Sequence, residues 1–460
     1  MRAIDHTTLH RTAKYFMDSG RAESPEEALR LLQSFGLAIM VSAAAAASYE
    51  GQVALLTLVN LARRTFLAGV EVVNLPDVAR IAPLADAATL QGAVIELGGQ
   101  VTQSRHGQWP LAVIGDDSAF PATGTGWRLV WEGWRAGVVP LREKPLPFMS
   151  PAMELAPAMA AAVCAAELFA FHAGNHPLAG KRRAGLSLWQ PGADWTTAAA
   201  DEPALAYLPS RLWLIGLGNL GQAYSWLLAC LRYEDPSQVE LVLQDFDRLA
   251  ESNDSTSMLA CLDAIGKMKT RWVAEWLERR GFHTALEERR FGLWTQRQEW
   301  EPPVALCGVD NGLARASLEK AGFELVVESG LGAGPQGFRN FSLHSFPSSR
   351  RAEQIWSGTQ GTHAPDVSSM PAYAGLRKRG MDQCGLAQLA SRTVGVPFVG
   401  LIAGGFVIAE LLRRLHGGQA YGVIAGSAAS LSDIEASAIE VEPYGYGYAT
   451  AESLDQGEKG

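Results

Sequence analysis

Arg211-Leu212-Trp213-Leu214-Ile215 runs directly into Gly216-Leu217-Gly218-Asn219-Leu220-Gly221, and an apolar helical pattern follows over residues 223–231. A short apolar strand, a G-x-G-x-x-G turn and a helix, in that order, open a doubly wound α/β fold. Glycine suits such a turn because a Cβ would block both the tight bend and the close approach of a phosphate. The helix N-terminus behind it supplies amide donors and partial positive charge. The loop alone does not separate ATP from NAD, which present similar groups to it.

Reading outward, residues 239–243 form a second strand ending in Gln244-Asp245-Phe246-Asp247. Residues 303–308 form another, ending in Val309-Asp310-Asn311, and residues 323–327 a fourth, ending in Glu328-Ser329-Gly330. Strands alternating with helices predict a parallel sheet covered on both faces. The first half has a similar order without the glycine signature. Strands are expected at 37–41, 70–74, 111–115 (ending in Asp116-Asp117), 127–131 and 137–141. An alanine-rich helix is expected over 42–66. A long apolar helix over 153–173 matches one over 399–415.

The fold class expected is therefore α/β, with two Rossmann-like halves forming an intrachain pseudo-dimer and the second half carrying the nucleotide site. Two unrelated α/β domains are the alternative. Residues 1–185 form the expected first, inactive half and 186–204 a linker. Residues 205–425 form the active half, with a crossover loop at about 345–384, and 426–460 a terminal strand and tail. The region around 176–209 carries Pro177, Lys181-Arg182-Arg183, Pro191, Gly192 and Pro203, the composition of an exposed connector. Residues 444–460 read as a loose tail.

Composition narrows the function classes. The 460 residues are 48% hydrophobic and 19% charged, as in an ordinary globular protein. A net charge of −9 without a basic stripe argues against nucleic acid as a partner. The longest uncharged apolar stretch, 393–409, is interrupted by Pro397 and four glycines, so a buried helix is expected and no membrane span. The first residues lack an apolar signal core. Five dispersed cysteines without a CxxC pair fit a reducing, cytoplasmic setting, and no zinc is expected.

Three further motifs decide between the nucleotides. Asp245-Phe246-Asp247-Arg248-Leu249-Ala250-Glu251-Ser252-Asn253 is followed by Ile265-Gly266-Lys267-Met268-Lys269, and then by Val309-Asp310-Asn311-Gly312-Leu313-Ala314-Arg315. In this order and spacing they resemble the adenylating domain of the ThiF, MoeB and ubiquitin-activating-enzyme superfamily. That family's pattern reads D-x-D-x-V-x-x-S-N, G-x-x-K and D-N-x-x-x-R. The resemblance covers residues 212–334. It implies that Gly216, Gly218 and Gly221 approach ATP, that Asp245 binds the ribose, and that Asn253 and Lys269 reach the phosphates. Asp247 and Asn311 would stand beside them, and Asp310 would hold Mg²⁺. A lysine and a metal suit a polyphosphate that must be neutralised while a carboxylate attacks. Simpler readings stand beside these: Asp245 as a loop cap, Lys269 as a solvated cation, Asp310 as a helix cap.

The chain departs from the pattern at Thr256, where the family carries an arginine. Activating enzymes also borrow an arginine from the other half, and Arg11 is the candidate here, with Arg63 and Arg64 as alternatives. Cys384 follows Arg377-Lys378-Arg379 and precedes a helix. Cations and a helix N-terminus favour a thiolate nucleophile, and in the resembled enzymes such a cysteine takes the acyl group as a thioester. The alternative is a structural turn cysteine. His344 and His363 are expected on the surface.

The resemblance thus implies ATP-dependent adenylation of the terminal glycine of a ubiquitin-like protein. A thioester on Cys384 and transfer to a ubiquitin-conjugating-like enzyme would follow, with residues 329–334 passing the substrate's narrow tail. The most similar type is the bacterial activating enzyme of antiphage conjugation operons such as the Bil systems. A sulfur-carrier adenylyltransferase, an NAD-dependent oxidoreductase and a non-catalytic scaffold are the competing readings. A homodimer is left open.

Overall fold

The computed structural model describes residues 5–116, 120–121, 124–144, 146, 151–356 and 369–452. Asp117, His363 and the middle of the expected crossover loop lie outside the described residues. In chain order the strands of the first sheet are β1 Gly36–Val41, β2 Gly69–Val73, β3 Gln100–Thr102, β4 Leu111–Ile114, β5 Gly126–Glu132, β6 Arg135–Pro140 and β7 Ala184–Ser187. After β8 Tyr207–Pro209 comes the second sheet. Its strands are β9 Arg211–Ile215, β10 Glu240–Gln244, β11 His283–Glu287, β12 Val304–Cys307, β13 Leu325–Leu331, β14 Asn340–Phe346, β15 Ala420–Ser427 and β16 Ser430–Ile439. The last strand is β17 Tyr448–Thr450.

The first sheet has the order β3-β2-β1-β4-β5-β6-β7 and the second β11-β10-β9-β12-β13-β14-β15-β16. In each, the first five strands run parallel and the remainder antiparallel. One strand order is therefore used twice. The parallel strands are apolar on both faces because helices cover both, as β12 shows with all four residues buried.

Between the sheets pack the helices Tyr49–Arg63, Ala156–Ala173, Asn219–Cys230 and Pro397–Leu415. Ala156–Ala173 is long and apolar enough to cross a membrane, but 89% of it is buried inside the structure. Its single acid, Glu167, pairs with Arg182 at 2.6 Å. In Pro397–Leu415, Gly400 lets the helix approach the glycine-loop helix: a Cβ there would stand 2.0 Å from Asn219 Oδ1.

Several expectations need correction. The helix expected over 42–66 is two, Ala43–Ala47 and Tyr49–Arg63, because Ser48 turns extended and caps the second through Gly51 N–H at 3.0 Å. The expected connector is only partly exposed. It supplies β7, and Leu188, Trp189 and Trp195 are buried, since a row of tryptophans cannot stay in water at low cost. The tail is held as far as residue 452: β17 pairs antiparallel with β8, and Arg232 pairs with Glu452 at 2.8 Å. The expected crossover loop is not all loop, since it begins inside β14 and includes the helices Ala352–Trp356 and Pro371–Lys378.

Candidate nucleotide and thiol site

The carboxyl ends of β9, β10 and β12 meet where the strand order reverses, the usual ligand crevice of an open α/β sheet. Gly216 adopts φ +85°, a conformation that a side chain disfavours. A Cβ on Gly221 would stand 2.0 Å from Gly216 O, so that glycine closes the turn. A Cβ on Gly218 would meet nothing within 4 Å, so the loop is open on that side.

Asp245 follows β10 directly and is buried. Its Oδ2 accepts from Leu217 N–H at 2.7 Å and its Oδ1 from Asp247 N–H at 2.8 Å. The carboxylate thus fixes the glycine loop from below. Lys269 Nζ lies 3.0 Å from Asp247 Oδ2 and 3.6 Å from Asp245 Oδ2. Lys269 N–H also donates to Asp247 O at 3.0 Å, which ties the start of helix Lys269–Glu278 to the loop after β10. Asn253 Oδ1 accepts from Ala250 N–H at 2.8 Å, which shapes the turn Glu251–Ser255.

After β12, Asp310 and Asn311 are exposed. Asn311 Oδ1 caps the helix Gly312–Ala316 by accepting from Leu313 and Ala314 N–H at 2.9 and 3.1 Å. Asp310 is not that cap, so the simpler reading belongs to its neighbour. Arg315 holds the loop: its Nε donates to Val309 O at 2.8 Å and its Nη2 to Ser329 O at 3.2 Å. Glu328, buried beneath, lies 3.5 Å from Arg315 Nη1 and 2.5 Å from His344 Nδ1. His344 is therefore tied under the loop rather than standing on the surface. Two glycines of the stretch 329–334 serve chain packing. A Cβ on Gly330 would stand 2.6 Å from Arg315 Nη1, and one on Gly332 would stand 2.0 Å from Gly337 O.

The N-terminal strap packs on the turn Glu251–Ser255 and on the segment before the helix Pro397–Leu415. Thr7 O accepts from Ser252 N–H at 2.7 Å, and Arg11 N–H donates to Ser255 Oγ at 3.1 Å. The Arg11 guanidinium donates to Thr393 O at 2.7 Å and Thr393 Oγ1 at 2.8 Å, within electrostatic reach of Asp310. Burial, and next the charge of Arg392, push its pKa down to about 10. Arg63 and Arg64 are spoken for. They bond Asp254, and Arg64 also bonds the carbonyls of Met258 and Ala260 at 2.8 and 2.9 Å. They fasten the first half to the turn around Thr256 and do not stand free for a ligand.

Cys384 is exposed near the start of the helix Gln383–Ser391, which Asp382 caps by accepting from Gly385 N–H at 2.7 Å. Gln388 Nε2 lies 3.6 Å from its sulfur. Of the three upstream cations, Arg379 is committed to Glu26 at 2.8 Å. Cys164, Cys230 and Cys307 are buried, and burial pushes their thiols up, Cys307 to about 12. Cys261 is half-buried, so Cys384 is the accessible sulfur.

No group of three or more acid, histidine or cysteine side chains is gathered for a metal among the described residues. Mg²⁺ is commonly held by one or two carboxylates plus substrate phosphates and water, so a single exposed Asp310 fits that donor set.

Residues 36–188 match the model of the BilD N-terminal domain, and residues 208–418 the model of the BilD C-terminal domain. The Bacterial E1-like protein BilD of Collimonas sp. (strain OK412) is 56% identical over 448 residues, 97% of each chain. The chain belongs to the BilD family. The BilD C-terminal model spans the glycine loop, Asp245, Lys269, Asp310 and Cys384, whereas the BilD N-terminal model begins after Arg11. Among solved structures, E. coli MccB is similar with TM-score 0.35 and 12% identity, over 51% of this chain and 63% of that one. The BilD-family chain thus spans under two thirds of MccB. E. coli tRNA N6-threonylcarbamoyladenosine dehydratase, TcdA, is similar with TM-score 0.29 and 14% identity, over 45% and 85%.

Sequence reasoning did not single out Glu328, Lys14 or Tyr373. Lys14 Nζ is buried against both oxygens of Asp18 at 2.7 Å and Tyr373 OH at 2.6 Å, which docks the N-terminal segment onto the helix before Cys384. Nothing in the local spacing could reveal a bond between residues 359 apart.

Proposed function

We propose that this chain is an E1-like enzyme that uses ATP to adenylate the C-terminal glycine carboxylate of a ubiquitin-like protein. One observation carries the reading. Asp245 fixes the glycine loop with Lys269 beside it, and Arg11 lies within electrostatic reach of Asp310. An E1-like name on a relative of 56% identity supports it.

In the first step a carboxylate oxygen attacks the α-phosphorus, and the bond to pyrophosphate breaks. The glycine loop positions the phosphates, Asp245 takes the ribose, and Lys269 and Arg11 offset the charge that builds on the transferred group. Asp310 would hold Mg²⁺, whose charge would offset that of the phosphates. In the second step the Cys384 thiolate attacks the acyl carbon, the bond to AMP breaks, and a thioester forms for a conjugating-type enzyme. The repeated strand order supports an intrachain pseudo-dimer in which the first half, lacking a glycine loop, lends its N-terminal strap to the second. The setting that fits is the bacterial cytoplasm and a conjugation system directed against phage.

Pyrophosphate exchange into ATP tests this, with the ubiquitin-like protein encoded beside the chain. Exchange that requires the partner, vanishes in Asp310→Ala and persists in Cys384→Ala is the expected result. Absence of exchange and of nucleotide binding in the wild type would sink the enzymatic reading.

A further inference from the structure

Arg315 closes the motif that Asp310 opens, and the fold turns its guanidinium inward. The residue is buried. Its Nε donates to Val309 O at 2.8 Å and its Nη2 to Ser329 O at 3.2 Å. Gly330 makes the room, since a Cβ there would stand 2.6 Å from Nη1 and 3.0 Å from Nη2. The Trp356 ring lies over the guanidinium carbon at 4.6 Å. Val309 O belongs to the peptide bond that leads into Asp310. The cation is therefore fastened to the loop that carries the exposed carboxylate.

Two carbonyls do not neutralise a guanidinium. The acid at ion-pair distance is Glu328, whose Oε2 lies 3.5 Å from Nη1. Glu328 and Gly330 are two apart on β13 and so share one face of the sheet. Glu328 pairs in register with Cys307, the last residue of β12. Its carboxylate thus sits one strand over from the point where the chain leaves β12 for Asp310. His344, opposite on β14, holds Oε1 at 2.5 Å. Glu328 is fully buried, and its Oε2 accepts no hydrogen bond. A buried carboxylate oxygen without a donor costs stability, so stability alone is a poor account of a charge at this place.

Asp310 itself makes no ion pair and no side-chain hydrogen bond among the described residues, because Asn311 has taken the helix cap. Without a nearer counter-charge, a cation bonded to the adjoining carbonyl would attract the Asp310 carboxylate. Glu328 supplies that nearer counter-charge from beneath. We propose that Glu328 is a positioning residue: by holding Arg315 under the loop, it keeps the Asp310 carboxylate free to take the magnesium ion of magnesium ATP. The inference rests on the reading of Asp310 as the metal carboxylate and adds to it the pair that keeps the carboxylate available.

Calorimetric titration of the full chain with ATP, with magnesium and without it, tests this. The quantity read is the gain in ATP affinity that magnesium brings. Asp310→Ala should erase that gain. Glu328→Gln keeps the shape and removes the charge; it is expected to cut the gain about tenfold while leaving ATP affinity without magnesium within about twofold. Glu328→Asp keeps the charge and should retain more of the gain. In the double variant Glu328→Gln/Arg315→Gln the cation is gone as well, so the gain should return to within about threefold of wild type. Removing both partners leaves no unpaired buried charge, so the double variant decides the matter should Glu328→Gln not fold. A wild-type gain in Glu328→Gln, an equal loss with and without magnesium, or a double variant as low as Asp310→Ala overturns the inference and leaves the nucleotide reading standing. A wild type whose ATP affinity ignores magnesium overturns the role of Asp310 and the inference with it.

Discussion

Lys269 Nζ rests 3.6 Å from Asp245 Oδ2, so the lysine proposed for the phosphates is parked on the carboxylate proposed for the ribose. A nucleotide entering the crevice would exchange this contact for two better ones, because phosphate oxygens carry the charge that Lys269 seeks. Lys269→Ala is expected to lower kcat/KM of pyrophosphate exchange roughly 100-fold, in line with loss of one charged transition-state contact. Stability should change by under about 1 kcal/mol, since Asp247 is half exposed and Asp245 keeps its two N–H donors. Exchange at the wild-type rate would remove Lys269 from the site.

Cys384 stands exposed while three of its four companions are buried. Cys384→Ser should keep pyrophosphate exchange and lose the reductant-sensitive adduct with the ubiquitin-like protein on a non-reducing gel. Cys261→Ser should keep both. An adduct that survives Cys384→Ser and disappears in Cys261→Ser would move the thioester to the half-buried sulfur.

Arg64 is buried and reaches Asn60 Oδ1 at 3.1 Å, Asp254 O at 2.6 Å and the carbonyls of Met258 and Ala260. Truncating it strands those acceptors and a partner carboxylate. Arg64→Ala is expected to cost about 3 kcal/mol in urea unfolding. Arg63, more exposed in the same cluster, should cost under about 1 kcal/mol. Equal losses would show that burial does not govern the join between the halves.

Glu154 is buried with an unpartnered Oε2, and burial raises its pKa to about 7 from an ordinary 4.5. Arg232 opposes the rise, and Glu50 and Glu452 add to it. Between those two values the native state binds the proton more tightly than the unfolded chain. Native stability therefore falls as pH climbs from about 4.5 to about 7, and the loss is complete above that window. Glu154→Gln should raise the Tm at pH 8 by an amount on the order of 1–3 kcal/mol of stability and leave it unchanged at pH 4. A Tm gain at both pH values would point to packing rather than ionisation.

The parallel core was legible because its signals are local. Residues 211–215 form a short apolar run that ends in a glycine turn, and β9 occupies Arg211–Ile215 as read. The antiparallel margin of the second sheet was not. β15 and β16 carry polar, half-exposed residues, and the pairing of β15 with β14 spans a long insertion that no periodicity bridges.

The sequence by itself determined the α/β class, the glycine loop and the order of Asp245, Lys269 and Asp310, because strand alternation, positive φ and motif spacing act over a few residues. Only the tertiary structure decided the partners of the three candidate arginines. Arg63 and Arg64 are consumed by Asp254, and Arg11 reaches Thr393 across 382 residues of chain. It also decided that His344 lies under the loop, bonded to Glu328. Such contacts join distant segments whose meeting is set by how the helices and sheets pack, a quantity no local pattern records.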